Sequence, residues 1–421
     1  MERELRTAAG IPLYYDANPR LHGFCLCLYV KAGPLYESDN QNGCSHAFEH
    51  MVFRHLQARL DGGLYRMLDR LGLEFSACTC RELIQFKITG AARHFDTAAE
   101  LLSQIFAPMR LSTAEVAMER RRIKAEIRED GERRSLDFFS RQLVWADTPL
   151  RHSITGRPAV LDRLGPTALA RLQRELLTVS NVFFYATGRF SEAQIHRLAA
   201  FVDRFPVGDG PLRDNRAPLP TGFARRNGRV AIKNGDGHLV RLSLDIDTGR
   251  YPNAALDLLY DILFTGDSCK LYQALSEQTG YAYSYDACLE KYNNIGCLYF
   301  QYETSSADLL PSIRAAAAVL SVMKQELRDE LELVRALYVD NAGLTLDNCE
   351  EYNWIRAYEG HILGLPYINW SERAAAYAAV EPATITAICR ETFRSERLTL
   401  TLKTSDRRVS ETEIQEILSQ I

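Results

Sequence analysis

The feature that most constrains the fold is an internal repeat at an offset of about half the chain. Residues 166–177 and 382–393 both begin with Pro, space their apolar residues as an amphipathic helix does, and carry Arg-Glu at the ninth and tenth positions. Strand-like runs follow them at 181–188 and 397–404, at the same offset of 216 residues. A further helical pattern follows each strand. This succession predicts two halves of similar topology.

A segment rich in Pro, Gly and Asp separates the two copies, and we place a linker there, at residues 205–225. The first domain is then predicted at 1–204 and the second, of the same fold, at 226–421. Apolar and polar residues alternate along neighbouring strand-like runs, which favours antiparallel sheets. Long helical patterns accompany the strands at 93–107, 112–133 and 306–338. The predicted class is α+β, with an antiparallel sheet packed with helices in each half.

Composition limits the partners of this chain. Its 421 residues carry 50 Lys and Arg against 54 Asp and Glu, a net charge of −4, which does not indicate binding to nucleic acid or to a membrane surface. No apolar run approaches the roughly 20 residues that span a bilayer. The start of the chain also lacks the pattern of a secretory signal, so we expect a cytoplasmic protein.

The ten cysteines are scattered and include no C-x-x-C pair, so most are expected to be reduced and buried. Cys25 with Cys27, and Cys78 with Cys80, could together form a four-thiolate metal site. Their spacing is not the C-x₂₋₄-C of structural zinc sites, which disfavours that interpretation.

The motif with the clearest chemistry is His-Ala-Phe-Glu-His at residues 46–50, an H-x-x-E-H pattern. On a helix, His46 and His50 lie on one face and could bind one zinc ion, with Glu49 beside them. The alternative is the polar face of a surface helix with incidental histidines. His55, one turn further on, is predicted to be a surface or capping side chain rather than a ligand.

A catalytic zinc needs a third protein ligand, and the helical pattern at 112–133 carries several carboxylates. Ser112 and Glu115 form a predicted capping box at its start. The spacing by itself does not choose among the candidates, which are Glu115, Glu119, Glu126, Glu129 and Glu132.

These patterns together resemble the pitrilysin/insulinase family of zinc metallopeptidases, in its half-length bacterial and mitochondrial-processing form. The family places a Glu 76 positions after the last His of its motif, which is Glu126 here, and another Glu seven positions earlier, which is Glu119. Its motif run is matched at residues 42–53 and its Phe-Asn-Ala-x-Thr strand start at 75–79. The resemblance also covers the two-fold repeat.

The resemblance implies a role for each matched residue. It assigns His46, His50 and Glu126 as zinc ligands, and Glu119 as a carboxylate that orients a ligand. It assigns Glu49 as general base for the attacking water and later as proton donor to the leaving amine.

It further implies that the strand at 75–80 pairs with an extended peptide by β-addition, with Ser76 and Ala77 near the scissile bond. Such an edge binds unfolded peptides rather than folded proteins.

The second half departs from the family pattern. The family uses an Arg and a Tyr, seven residues apart, to hold substrate and stabilise the oxyanion. Tyr283 occupies the Tyr position, but Ser276 stands where Arg is expected, and a hydroxyl cannot replace a guanidinium. No His occurs at 252–264, the counterpart of the zinc helix. We therefore expect one zinc per chain and a homologous partner subunit that supplies the Arg/Tyr pair, with a heterodimer favoured over a homodimer.

The leading hypothesis is a zinc endopeptidase that hydrolyses small unfolded peptides in an enclosed chamber, with leader-peptide processing as one suitable task. The alternative is a non-catalytic structural or peptide-binding subunit of the same fold. A zinc hydrolase that does not act on peptides is a third hypothesis, and substrate pairing with the strand at 75–80 would exclude it.

Overall fold

The computed structural model describes residues 2–214, 216–220, 222–223, 226–366 and 369–421, apart from the side chain of Arg133. The chain forms two compact units, each assembled from three stretches of sequence. The first unit comprises residues 1–131, 152–215 and 343–370, and the second comprises residues 132–151, 216–342 and 371–421.

The strands, in chain order, are β1 (Arg3–Arg6), β2 (Pro12–Ala17), β3 (Gly23–Val30), β4 (Glu74–Thr79), β5 (Ile84–Ala91), β6 (Val182–Gly188), β7 (Arg229–Asn234), β8 (His238–Ile246), β9 (Tyr285–Lys291), β10 (Gly296–Glu303) and β11 (Leu398–Thr404). The helices are α1 (Cys44–Arg59), α2 (Leu64–Leu71), α3 (Phe95–Ser103), α4 (Thr113–Asp130), α5 (Leu136–Val144), α6 (Pro158–Leu161), α7 (Pro166–Leu176), α8 (Glu192–Val202), α9 (Asn253–Phe264), α10 (Lys270–Tyr272), α11 (Leu309–Val322), α12 (Arg328–Val339), α13 (Ala342–Asp347), α14 (Cys349–Ala357), α15 (Trp370–Ala378), α16 (Pro382–Thr392) and α17 (Glu411–Leu418).

The two sheets repeat one topology. The first has the strand order β1-β2-β6-β3-β5-β4 and the second the order β7-β11-β8-β10-β9, so the second sheet matches the first without β1. The predicted α+β class with two similar halves is confirmed. Each sheet is antiparallel except for one parallel pair, β2 with β6 and β7 with β11. Parallel neighbours need a crossover rather than a hairpin, and these pairs join strands far apart in the sequence.

The repeated elements lie where the 216-residue offset predicts them. Helices α7 and α16 begin at Pro166 and Pro382, and strands β6 and β11 follow them at the same offset. Ser191 and Ser410 cap the next helix of each copy. The prediction of one helix over 306–338 is wrong. It is interrupted between α11 and α12, where side chains of α16 donate hydrogen bonds to the freed carbonyls of Lys324 and Gln325.

The compact units differ from the predicted halves by two segments. Helix α14 belongs with the first sheet because the buried side chain of Asn353 donates to the carbonyl of Tyr185 at 3.0 Å and accepts from Tyr29 at 2.9 Å. Helix α5 belongs with the second sheet because Arg141 donates to Glu290 at 3.0 Å. The predicted domain boundaries were drawn from the sequence repeat, whereas the compact units include the helices that these buried polar contacts attach to each sheet.

The central strand β3 is buried on both faces, which explains its almost continuous apolar sequence. One face joins the main core of the first unit, where Leu26 and Leu28 lie in the same cluster as Phe48 of α1. The other face carries Tyr29 and packs with Ala357 at the end of α14. Among the described helices, none is long and apolar enough to cross a lipid bilayer.

Candidate metal centre

Helix α1 carries the H-x-x-E-H motif, and buried contacts hold its first turn. Gly43 precedes the helix at φ 103°, and a Cβ atom there would lie 2.7 Å from Cα of Gly156. The buried carboxylate of Glu37 accepts hydrogen bonds from the backbone N–H of Gly43 at 2.8 Å and of Ser45 at 2.7 Å. Carboxylates favour helix N-termini because unpaired N–H groups and the helix dipole meet them there. The start of the motif helix is therefore firmly placed.

The two histidines of the motif share one face of α1, as their spacing predicts. Their ring centroids lie 4.7 Å apart, and His46 is buried while His50 is partly exposed. Phe48 and Met51 are completely buried on the opposite side. His55 is also buried, with Nε2 at 3.3 Å from the carbonyl oxygen of Gln104, so its predicted place at the surface is wrong.

Helix α4 brings one of its glutamates to both imidazoles. Glu126 Oε1 lies 3.4 Å from Nε2 of His46, and Glu126 Oε2 lies 3.2 Å from Nε2 of His50. Glu115 instead forms the predicted capping box with Ser112 at the start of the helix. The tertiary structure thus selects Glu126 from the carboxylates that the sequence left open.

The donor atoms fit a single zinc ion. The ligand atoms of His46, His50 and Glu126 all lie within 4.8 Å of one another. Tetrahedral ligands at the usual zinc distances of about 2.0–2.2 Å lie roughly 3.3–3.6 Å apart. Each imidazole lies at about this separation from one oxygen of Glu126, His46 from Oε1 and His50 from Oε2. Two imidazoles and one carboxylate are also a donor set typical of catalytic zinc, which keeps a fourth position open.

In the part of the chain that the structure describes, this is the one cluster of His, Cys, Asp or Glu that could hold a metal ion. The four-thiolate alternative does not form. Strand β5 lies between the strand that carries Cys25 and Cys27 and the strand that carries Cys78.

Glu119 contacts the imidazole of His50 at the ring nitrogen opposite to the one that Glu126 contacts. Its carboxylate lies 3.0 Å from Nδ1 of His50 and accepts hydrogen bonds from Nε and Nη2 of Arg54 at 3.0 and 2.7 Å. Burial raises the pKa of Glu119, but the contacts with His50 and Arg54 outweigh it and hold the pKa below its ordinary value. An ionised Glu119 in this position would hold the ring orientation of His50. Its role as a carboxylate that orients a ligand stays a prediction.

The imidazole and carboxylate of the proposed ligands also shift each other's ionisation. Burial lowers the pKa of His46, yet the hydrogen bond that His46 donates to Glu126 and the charge of Glu49 leave it raised. The contact with His46 lowers the pKa of Glu126. A raised pKa of His46 and a lowered pKa of Glu126 are the shifts of an ion pair between the two side chains, which a bound metal cation would replace.

Glu49, the predicted general base, is held by a side chain that the sequence analysis did not single out. The hydroxyl of Thr79 donates a hydrogen bond to Oε2 of Glu49 at 2.5 Å. Thr79 is the last residue of β4 and is buried. The sequence did hold one indication for Thr79. It is the last residue of the Phe-x-Ala-x-Thr pattern, on the strand that carries the predicted substrate-binding residues.

Strand β4, which carries Ser76 and Ala77, is the edge strand of the first sheet. Both residues are paired on one side with β5, opposite Lys87 and Phe86. The rings of Phe75 and Phe53, 4.7 Å apart, join this strand to α1. Among the described residues, no strand pairs with the other side of β4, and the roles of Ser76 and Ala77 stay predictions.

Tyr283 lies in the second unit, in the loop before β9, and its side chain is 95% exposed. Ser276, at the position where the family pattern has Arg, lies in a short π-helical turn that continues α10. The contribution of Tyr283 to a reaction stays a prediction.

Comparison with known proteins identifies the class to which this fold and metal centre belong. The family model described as "Insulinase (Peptidase family M16)" matches residues 16–153, and the one described as "Peptidase M16 inactive domain" matches residues 164–337. The chain belongs to the insulinase family of peptidases, a zinc protease family, and the predicted resemblance is confirmed.

Among its relatives, an uncharacterized zinc protease of Mycobacterium tuberculosis is 24% identical over 304 residues, which cover 70% of this chain and 68% of the relative. The mitochondrial-processing peptidase subunit beta of Mus musculus is 31% identical over 102 residues, covering 24% of this chain and 21% of that protein. A protease from Helicobacter pylori of known structure shares the fold, with a TM-score of 0.81 at 14% identity over 96% of this chain and 99% of that one.

Proposed function

We propose that this protein is a zinc-dependent endopeptidase that hydrolyses small unfolded peptides. The observation that carries the proposal is the convergence of His46, His50 and Glu126, on two separate helices, beside a carboxylate suited to proton transfer. A peptide-binding subunit without catalytic activity would not need these metal-binding side chains and the neighbouring carboxylate. The zinc protease relatives support the same metal and the same reaction class.

The residues of this chain would divide the chemistry among them. A bound zinc ion polarises the scissile carbonyl and acidifies water. Glu49 accepts the proton of the attacking water and returns it to the leaving amine. Thr79 holds one oxygen of Glu49, which leaves the other oxygen to face the substrate. Glu119 and Arg54 keep His50 in its ligating orientation.

Peptide is the proposed substrate because the edge strand β4 lies next to the motif helix. An extended peptide paired with β4 would lie close to Glu49, since Thr79 at the end of that strand donates a hydrogen bond to Glu49. Backbone pairing selects unfolded segments and explains why a folded protein would be excluded.

We further propose that the chain is the zinc-bearing subunit of a hetero-oligomer, with leader peptides as a suitable substrate. Ser276 in place of Arg supports a partner of the same fold that supplies the Arg/Tyr pair. The relative named as a subunit of mitochondrial-processing peptidase supports the same arrangement. The ten unpaired cysteines favour a reducing compartment such as the cytoplasm.

The test is mass-spectrometric detection of peptide cleavage by the zinc-loaded chain, with Glu49→Gln as the control. We expect one zinc per chain, and cleavage that depends on Glu49 once a homologous subunit carrying the Arg/Tyr pair is added. Full activity of the isolated chain would support the peptidase but contradict the need for a partner. Failure to bind zinc at all would contradict the proposed function and favour the non-catalytic alternative.

A further inference from the structure

A cavity of about 320 Å³ lies directly beside the proposed zinc ligands in the first unit. Glu49 and His50 form its inner end, so a group held there would be adjacent to the bond being hydrolysed. Its other walls include Phe53, Arg54 and Tyr65 of the first two helices, and Glu119 and Arg122 of α4.

One of the two carboxylates in this cavity already has a cationic partner. Glu119 is neutralised by the two hydrogen bonds from Arg54, and its remaining oxygen faces Nδ1 of His50. Glu49 accepts a hydrogen bond from the neutral hydroxyl of Thr79 and keeps its negative charge beside the zinc ligands. A cationic side chain would therefore find no unpaired partner in Glu119, and the charge of Glu49 lies at the end of the cavity next to His50.

Nearer the entrance, two side chains carry hydrogen-bond donors that lack a close acceptor among the described residues. The guanidinium of Arg122 is 66% exposed, and its one ion-pair contact among the described residues is a loose 3.8 Å approach to Glu119. Tyr65 is 51% exposed, and its hydroxyl makes no hydrogen bond to any residue that the structure describes. A cation and a phenol at the entrance, with the ring of Phe53 as an apolar wall, complement a short aliphatic chain that ends in a carboxylate.

We propose that this cavity binds an acidic side chain of the substrate, at a residue next to the scissile bond, and that Arg122 and Tyr65 select it. The inference rests on the proposed function and adds to it the class of peptide that is cleaved. A glutamate would reach Arg122 with its carboxylate while its methylenes contact Phe53.

The test measures binding to the zinc-loaded Glu49→Gln chain, which does not require turnover, with and without a homologous subunit that carries the Arg/Tyr pair. The probes are fluorescent ten-residue peptides of Ala and Ser that carry one Glu, Gln or Lys, moved through every position in turn. At one position we expect Glu to bind at least about tenfold more tightly than Lys, the size of one charge-assisted hydrogen bond.

The variants distinguish recognition by this cavity from a non-specific effect of the protein's surface charge. Arg122→Glu should reverse the preference for Glu over Lys, and Tyr65→Phe should weaken it about threefold or more. Arg121→Glu is the matched control, because Arg121 is an exposed neighbour on the same helix that does not line the cavity. The ratio between peptides is compared within each variant and at matched zinc content, because the charge of a bound zinc ion beside the cavity also favours Glu over Lys.

An equal affinity for Glu, Gln and Lys peptides, or a preference that Arg122→Glu leaves unchanged, would overturn this inference and leave the peptidase intact. If no peptide binds while zinc and the homologous subunit are both present, the proposed function fails as well.

Discussion

The carboxylate of Glu126 lies between two imidazoles that belong to another helix, 3.4 Å from His46 and 3.2 Å from His50. The same geometry distinguishes Glu126 from Glu119, which faces the opposite nitrogen of His50. Two carboxylates two turns apart on α4 therefore contact opposite sides of His50, Glu126 at Nε2 and Glu119 at Nδ1.

Replacing Glu126 by Gln should remove zinc without unfolding the protein. The amide lacks the charge that balances the cation, so zinc affinity should fall by more than the roughly 10- to 100-fold seen when residues behind a ligand are changed. Zinc per chain after gel filtration, measured by mass spectrometry, checks this. Glu129→Gln, an exposed change on the same helix, is the control. Equal zinc content in the two variants would exclude Glu126 as a ligand.

Replacing Thr79 by Val removes the hydroxyl that holds Glu49 while keeping the shape of the side chain. We expect turnover to fall about 10- to 100-fold, because a hydrogen bond to a charged group is worth roughly 1.5–3 kcal/mol. Thr79→Ser keeps the donor and should retain most of the activity. Peptide hydrolysis at matched zinc content is the measurement, and similar losses in both variants would indicate a packing role instead.

One face of helix α1 carries the candidate metal ligands, and the other face packs into the core of the first unit. His46 and His50 face α4, while Phe48, Met51 and the buried His55 face other parts of the first unit. Burial lowers the pKa of His55 to about 4 from its ordinary 6.5. The neutral imidazole is thus part of the folded state, and its protonation is coupled to unfolding.

The sign of this coupling predicts loss of stability in acid. Because the unfolded chain binds the proton of His55 near pH 6.5 and the folded chain only near pH 4, stability is lost as the pH falls through that window. The loss approaches about 3 kcal/mol, at roughly 1.4 kcal/mol per pH unit.

Urea unfolding of the zinc-free protein between pH 7 and 4 measures this loss. His55→Gln should show a shallower pH dependence than the parent, and the exposed His196→Gln should not. Parallel pH profiles for the parent and His55→Gln would contradict the assignment.

For the molecule as a whole, the compact units are not continuous in sequence. The first sheet needs helix α14 from late in the chain, since Asn353 donates to the backbone of β3 and β6 and is completely buried. The second sheet needs helix α5 from before the repeat boundary. Neither sequence half contains all of its own core.

A fragment of residues 1–204 should therefore not fold independently. It would leave Tyr29 and Phe183, which α14 covers, exposed to water together with unpaired polar groups beneath them. We expect the fragment to be insoluble or to unfold without a cooperative transition, whereas the full chain shows one. A soluble fragment that unfolds cooperatively and binds one zinc would contradict this.

The relative placement of the candidate site residues could be predicted best where it depends on residues close together in the sequence. The spacing of His46, Glu49 and His50 depends on the period of one helix, and the capping box of α4 depends on four consecutive residues. The ligand glutamate was reached through family resemblance, because many carboxylates on α4 satisfy periodicity equally well. Thr79 and Glu37 were not singled out, since each acts on residues of a different element.

The sequence by itself determined the repeated α+β plan, the motif helix and its two aligned imidazoles. These follow from hydrophobic periodicity and spacing, which are properties of short segments. Only the tertiary structure decided which carboxylate meets the imidazoles, which hydroxyl holds Glu49, where His55 is buried and which helices complete each sheet. Those outcomes depend on contacts between residues that are distant in the sequence, and their geometry is set by how the helices and sheets pack rather than by any local pattern.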